Sequence, residues 1–90
     1  MAIDSTLLTG RAKSGDAEAF GELYEQYAGD MYRYALYVLG SRCAAQDAVQ
    51  ETALAAFRSV RSLRDPASFR PWLFRILANH CKRQLRGKYA

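Results

Sequence analysis

Trp72, Arg75, Asn79, Arg83 and Arg86 are separated by three, four, four and three residues. On a helix, side chains at those spacings form one row. The row offers an aromatic plane, an amide and three guanidinium groups. Guanidinium pairs with phosphate, and an amide can hydrogen-bond a base edge. The alternative is a solvated basic face with Trp72 tucked into the core. No acid follows Asp65 in the chain, which favours nucleic acid. Just upstream, Arg61, Arg64, Phe69 and Arg70 surround a short polar segment. Basic groups interleaved with an aromatic can hold a single strand by phosphate pairing and base stacking. An ordinary connector with Phe69 as its core anchor fits that spacing equally well.

A second group, Asp47, Gln50, Glu51 and Leu54, stands on one side of the preceding helix, opposite its apolar stripe. Three polar groups and a leucine can dock a basic partner helix, although a plain solvent-facing strip has the same composition. Catalytic constellations are not visible. His80 is the sole histidine and has no obvious carboxylate partner in the basic stretch around it. No glycine-rich phosphate loop or metal-ligand cluster is present. Cys43 and Cys81 are far apart, and with one histidine they do not supply the four ligands of a structural zinc site. Both are expected to be buried as small apolar residues. Tyr24, Tyr27, Tyr32, Tyr34 and Tyr37 are expected in the core and at its rim. No metal, cofactor or enzymatic activity is expected.

These groups need a scaffold, and the chain has room for one. Its 90 residues are 50% apolar with two prolines, the composition of one small folded domain whose stability is marginal and aided by partners. No apolar run approaches a membrane span, and the first ten residues lack the features of a signal peptide, so the expected compartment is the cytoplasm. Residues 1–51 carry four basic groups against eight acids, a net of −4; residues 52–90 carry nine against one, a net of +8. Halves of opposite sign suggest two partners of opposite charge.

Helical periodicity runs throughout. The spacing predicts a short helix over about 4–13, capped by Asp4 or Ser5. A second spans 16–39, capped by Asp16, as one long helix or two nearly collinear ones hinged near Gly29-Asp30. A third covers about 44–61, with an inner face of Ala45, Ala48, Val49, Thr52, Ala53, Ala56, Phe57 and Val60. The last runs over 69–86, with Ser68 as its cap, Pro71 in its first turn and Gly87 as its stop. The expected fold class is all-α, a small bundle of three to five helices in a single domain over residues 1–90.

The run from Gly15 to Tyr27, continued by Met31 to Leu36, resembles the opening of region 2 in extracytoplasmic-function (ECF) sigma factors. Ala45-Gln46-Asp47-Ala48-Val49-Gln50-Glu51-Thr52 is similar to that family's core-binding signature. Ser68 to Asn79 resembles its promoter-reading helix. Three motifs in order cover about residues 5–86. Gln46 stands where the family usually has Glu, Ala53 where it has a larger apolar residue, Arg83 where Asp is frequent and Gly87 where Arg is frequent. The family's second domain, a helix-turn-helix reading the −35 element, has no counterpart in this sequence.

The resemblance implies binding to the clamp helices of the largest catalytic subunit of core RNA polymerase, through Asp47, Gln50, Glu51 and Leu54. It also implies opening of the −10 promoter element and capture of its non-template strand. The residues assigned to that strand are Arg61, Arg64, Ser68, Phe69, Arg70, Trp72, Arg75, Asn79, Lys82, Arg83 and Arg86. An anti-sigma factor is a further implied partner. The competing expectations are a sigma-like mimic that occupies an anti-sigma factor without touching DNA, and an unrelated helical repressor that binds duplex operator DNA as a dimer.

Overall fold

Aspartate, glycine and serine set the corners of the chain. The computed structural model describes residues 5–89. It consists of α1 (Ser5–Lys13), α2 (Ala17–Leu39), α3 (Arg42–Ser59), two 3₁₀ turns (Val60–Ser62 and Pro66–Ser68) and α4 (Phe69–Tyr89). Asp16 caps α2 by accepting the Ala19 N–H at 3.0 Å. Gly15 makes the preceding corner at φ 98°, where a side chain is strained. Gly40, at φ 69°, closes α2 by donating its N–H to the Leu36 carbonyl at 2.8 Å. Ser41 then caps α3 by accepting the Ala44 N–H at 3.3 Å.

Several expected boundaries move. The second helix is unbroken across Gly29-Asp30, because Leu23, Met31 and Ala35 are buried on both sides of the glycine. The third starts at Arg42, since Ser41 is its cap, and ends at Ser59, where the chain tightens into the first 3₁₀ turn. Ser68 does not cap the last helix in the expected way. Asp65 caps the turn before it, accepting the Ala67 N–H at 3.0 Å, and the Ser68 hydroxyl donates to Asp65 Oδ2 at 3.5 Å. Gly87 is no stop; α4 continues to Tyr89, and positive φ among the described glycines occurs only at Gly15 and Gly40. The Asp4 cap lies outside the described residues.

The apolar stripes meet in one core. Leu8 and Ala12 of α1, Phe20, Leu23 and Met31 of α2, Ala45, Ala48 and Ala56 of α3, and Phe69, Leu73 and Leu77 of α4 are all buried. The small residues of α3 allow its backbone to approach closely. Buried Thr52 donates its hydroxyl to the Ala48 carbonyl at 2.7 Å, so its burial leaves no orphan group. Phe57, expected on the inner face, is 48% exposed and packs edge-on against Phe20 at 5.2 Å. Cys81 is buried as expected, and burial pushes its thiol pKa up. Cys43 is exposed instead, on the outward side of the first turn of α3. Tyr24, Tyr27 and Tyr32 pack against the core, while Tyr37 stands in solvent.

Candidate nucleic-acid interface

Amphipathic α4 positions the basic row. Leu73, Leu77, His80 and Cys81 turn inward, which leaves Arg75, Asn79, Lys82, Arg83 and Arg86 exposed. At 3.6 residues per turn these five fall within roughly a 100° arc. Among the described residues, no carboxylate lies within ion-pair distance of Arg75, Lys82, Arg83 or Arg86. The positive charge of this face is therefore not neutralised within the fold and is open to a polyanion.

At the N-terminal end of the row lies a cleft of about 310 Å³, lined by Leu63, Arg64, Asp65, Ser68, Pro71, Trp72 and Arg75. Trp72 is half-buried and Arg64 and Arg75 are exposed. A ring wall beside two guanidinium groups suits a flat base with its phosphate. Asp65 accepts from the Ala67 N–H and the Ser68 hydroxyl and stands as an acid on the cleft wall beside the two guanidinium groups.

Three of the expected strand contacts are placed elsewhere. Phe69 is 2% exposed, with Tyr27 at 5.8 Å, Trp72 at 5.7 Å and Phe20 at 6.4 Å. Its ring cannot stack on a base without leaving the core; it braces Trp72 instead. Arg70 is exposed but turned away from the row: its guanidinium lies 4.8 Å above the Phe74 ring, which meets Tyr34 of α2 edge-on. Arg61 lines a separate cleft of about 310 Å³ with Ala12, Gly15, Phe57, Arg58 and Val60. The sequence places Phe57 on the inner face of its helix and gives Arg58 no role; the signal for this cleft is an aromatic followed by arginine near the end of a helix.

Asp47, Gln50, Glu51 and Leu54 all lie exposed on the side of α3 turned from the core. Two of them reach α4. His80 finds a carboxylate partner outside the basic stretch around it: Glu51 Oε2 of α3 lies 3.3 Å from its Nδ1. Gln84 Nε2 donates to Asp47 Oδ2 at 3.4 Å and to the Ala44 carbonyl at 3.3 Å. Packing of α3 on α4 creates both contacts, so linear spacing could not reveal them.

A larger hollow of about 550 Å³ at the α1–α2 corner is lined by Thr6, Leu7, Gly10, Arg11, Ser14 and Asp16. Its two charged groups, Arg11 and Asp16, satisfy each other at 2.8 Å, so it presents little unpaired chemistry. Among the described residues no three His, Cys, Asp or Glu side chains gather as a metal site, and no helix is long and apolar enough to cross a membrane.

Residues 23–89 match the family described as Sigma-70 region 2. The chain is 40% identical over 73 residues to the ECF RNA polymerase sigma factor BldN of Streptomyces coelicolor, covering 80% of this chain and 28% of that protein. It is 38% identical over 82 residues to the ECF RNA polymerase sigma-E factor of Haemophilus influenzae, covering 87% and 41%. Against the ECF RNA polymerase sigma factor SigL of Mycobacterium tuberculosis it is 36% identical over 69 residues, covering 76% and 39%. The chain thus spans less than half the length of these curated relatives. No solved structure gives a significant match. A helical bundle with an acidic patch on α3, a basic row on α4 and a sequence match across both belongs to the sigma-70 region 2 family, with ECF sigma factors as its relatives.

Proposed function

We propose that this chain acts in transcription initiation as a sigma factor domain, docking on core RNA polymerase and holding the non-template strand of the −10 promoter element. Asp47, Gln50, Glu51 and Leu54 meet the clamp helices of the largest catalytic subunit. Arg75, Asn79, Lys82, Arg83 and Arg86 follow the peeled strand, while Arg64, Ser68 and Trp72 frame the cleft that receives a base leaving the stack. The supporting observation is the exposed, acid-free row on α4 beside that cleft. Opening the duplex costs a few kcal/mol per unstacked step. Binding the open strand can supply it, so the domain needs no catalytic group and acts as a regulatory, non-enzymatic protein. Its place of action is the cytoplasm, where polymerase works, and an anti-sigma factor is the expected regulator. Residues 5–89 act as one domain of this system.

The mimic and the duplex-binding repressor have no comparable support. The relatives are named as sigma factors, and the mimic gives the row on α4 no task. The test is a salt titration of binding to a single-stranded −10 non-template oligonucleotide. Affinity should fall with salt at a slope of roughly −0.7 per phosphate neutralised. Arg83→Ala with Arg86→Ala should flatten that slope by more than one unit (about 1.4 for two phosphates). An unchanged slope would remove the row from the binding site.

A further inference from the structure

Two side chains of α4 touch the docking patch from below, and neither belongs to the patch or to the nucleic-acid row. His80 Nδ1 lies 3.3 Å from Glu51 Oε2, and Gln84 Nε2 lies 3.4 Å from Asp47 Oδ2. The pairs 47–84 and 51–80 run in opposite directions along the two helices, as rungs one turn apart. The arrangement is asymmetric. The His80 side chain is 11% exposed, whereas the Glu51 side chain keeps 52% of its surface. Gln84 is also anchored on the Ala44 carbonyl at 3.3 Å. In each rung, then, the α4 side chain is the better fixed and the α3 carboxylate is the one being aimed.

We propose that His80 and Gln84 are positioning residues that hold Glu51 and Asp47 ready for a cationic partner helix. The inference rests on the docking role given to the patch. An ionised carboxylate has about four acceptor sites on two oxygens, so a contact through one oxygen leaves capacity for an incoming lysine or arginine. Glutamate loses much rotamer freedom when it is ordered. Ordering it inside the fold removes that cost from the binding step, which is preorganisation. On α4 the two residues point away from the arc of Arg75, Asn79, Lys82, Arg83 and Arg86, so removing them spares the strand-binding row.

The experiment uses the full 90-residue chain with purified core RNA polymerase, and the −10 oligonucleotide as an independent readout. His80→Phe keeps an aromatic ring in place and deletes the contact to Glu51. Gln84→Ala removes the other rung at a partly exposed site, and so keeps the test valid if His80→Phe folds poorly. Each should weaken core binding about three- to ten-fold, the range expected for one side chain left unordered, with oligonucleotide affinity unchanged. In a Glu51→Gln background, His80→Phe should add much less than it does alone. Equal losses for core and oligonucleotide, additive effects in the cycle, or unchanged core binding by Gln84→Ala would each overturn the positioning role. If Asp47→Asn with Glu51→Gln leaves core binding intact, the docking assignment itself falls, and this inference with it.

Discussion

Asp16 serves two elements with one carboxylate. It accepts the Ala19 N–H to start α2 and pairs with Arg11 of α1 at 2.8 Å. The Ala19 hydrogen bond, then the Arg11 hydrogen bond, hold its pKa below the ordinary 3.8. A carboxyl group whose folded pKa is depressed stabilises fully above its unfolded value and loses that contribution as pH falls through the folded one. Asp16→Asn keeps a capping oxygen but discards the charge. Its melting temperature should therefore lie below wild type at neutral pH, and the gap should close as pH drops below 3.8. Asp16→Ala should melt lower still at neutral pH, because the cap is gone as well. A gap between wild type and Asp16→Asn that stays constant down to acid pH would show that the pair with Arg11 has no energetic weight, as solvent screening allows for exposed pairs.

Gly29 within α2 and Gly40 at its C-terminal cap make opposite demands on the helix, and replacing them separates propensity from geometry. Gly29 lies within an unbroken helix, and a Cβ there would meet only the Arg33 guanidinium, at 3.7 Å. Gly29→Ala should stabilise by up to about 1 kcal/mol. Gly40 sits at φ 69° with open space around it, so Gly40→Ala should destabilise by about 1 kcal/mol through backbone strain alone. Urea midpoints of the two variants should move in opposite directions; a shift of the same sign would contradict one of these local conformations. The elements themselves were legible in the sequence, because steps of three and four between Phe20 and Leu39 leave little choice but helix. Their ends were less so. Spacing places the start of the third helix at about residue 44, whereas the Ser41 hydroxyl accepts the Ala44 N–H and the helix begins at Arg42; Gly87 has the composition of a stop, although α4 continues through it. Phe69 was open between base-stacking and core for a similar reason. Spacing gives the face of a residue on its own helix, but Phe20 and Tyr27 of α2 decide whether that face is covered. The Glu51–His80 contact depends on the register of α3 against α4, which no local pattern carries. The basic row was legible because a single helix contains all of it.

At the scale of the whole molecule, opposite charges in the two halves of the sequence become neighbouring faces of one bundle: the acids of α3 on one flank, and Arg75, Lys82, Arg83 and Arg86 of α4, without an ion pair among the described residues, on the next. The same core holds both in place, so stability and partner binding are linked. A 90-residue domain has roughly 5–13 kcal/mol of stability at typical per-residue values. Leu77 is fully buried on α4, and Leu77→Ala should remove about 2–5 kcal/mol through lost burial and a cavity. That is a large share of the total, and it falls on the element that carries the proposed strand-binding row. Ligands that bind only the folded state restore stability by mass action. Core polymerase at one hundred times its Kd should return about 2.7 kcal/mol, most of what a moderate cavity removes. The expected result is that Leu77→Ala is cleaved much faster than wild type by a nonspecific protease when alone, and approaches wild-type resistance as core polymerase is added. Rescue should fail for Leu77→Ala combined with Asp47→Lys, because a cation then stands in the proposed docking face while the cavity is the same. If polymerase leaves the digestion of Leu77→Ala unchanged although it still binds wild type, docking is not linked to the folded state of this bundle, and the two faces do not share the stability of one core.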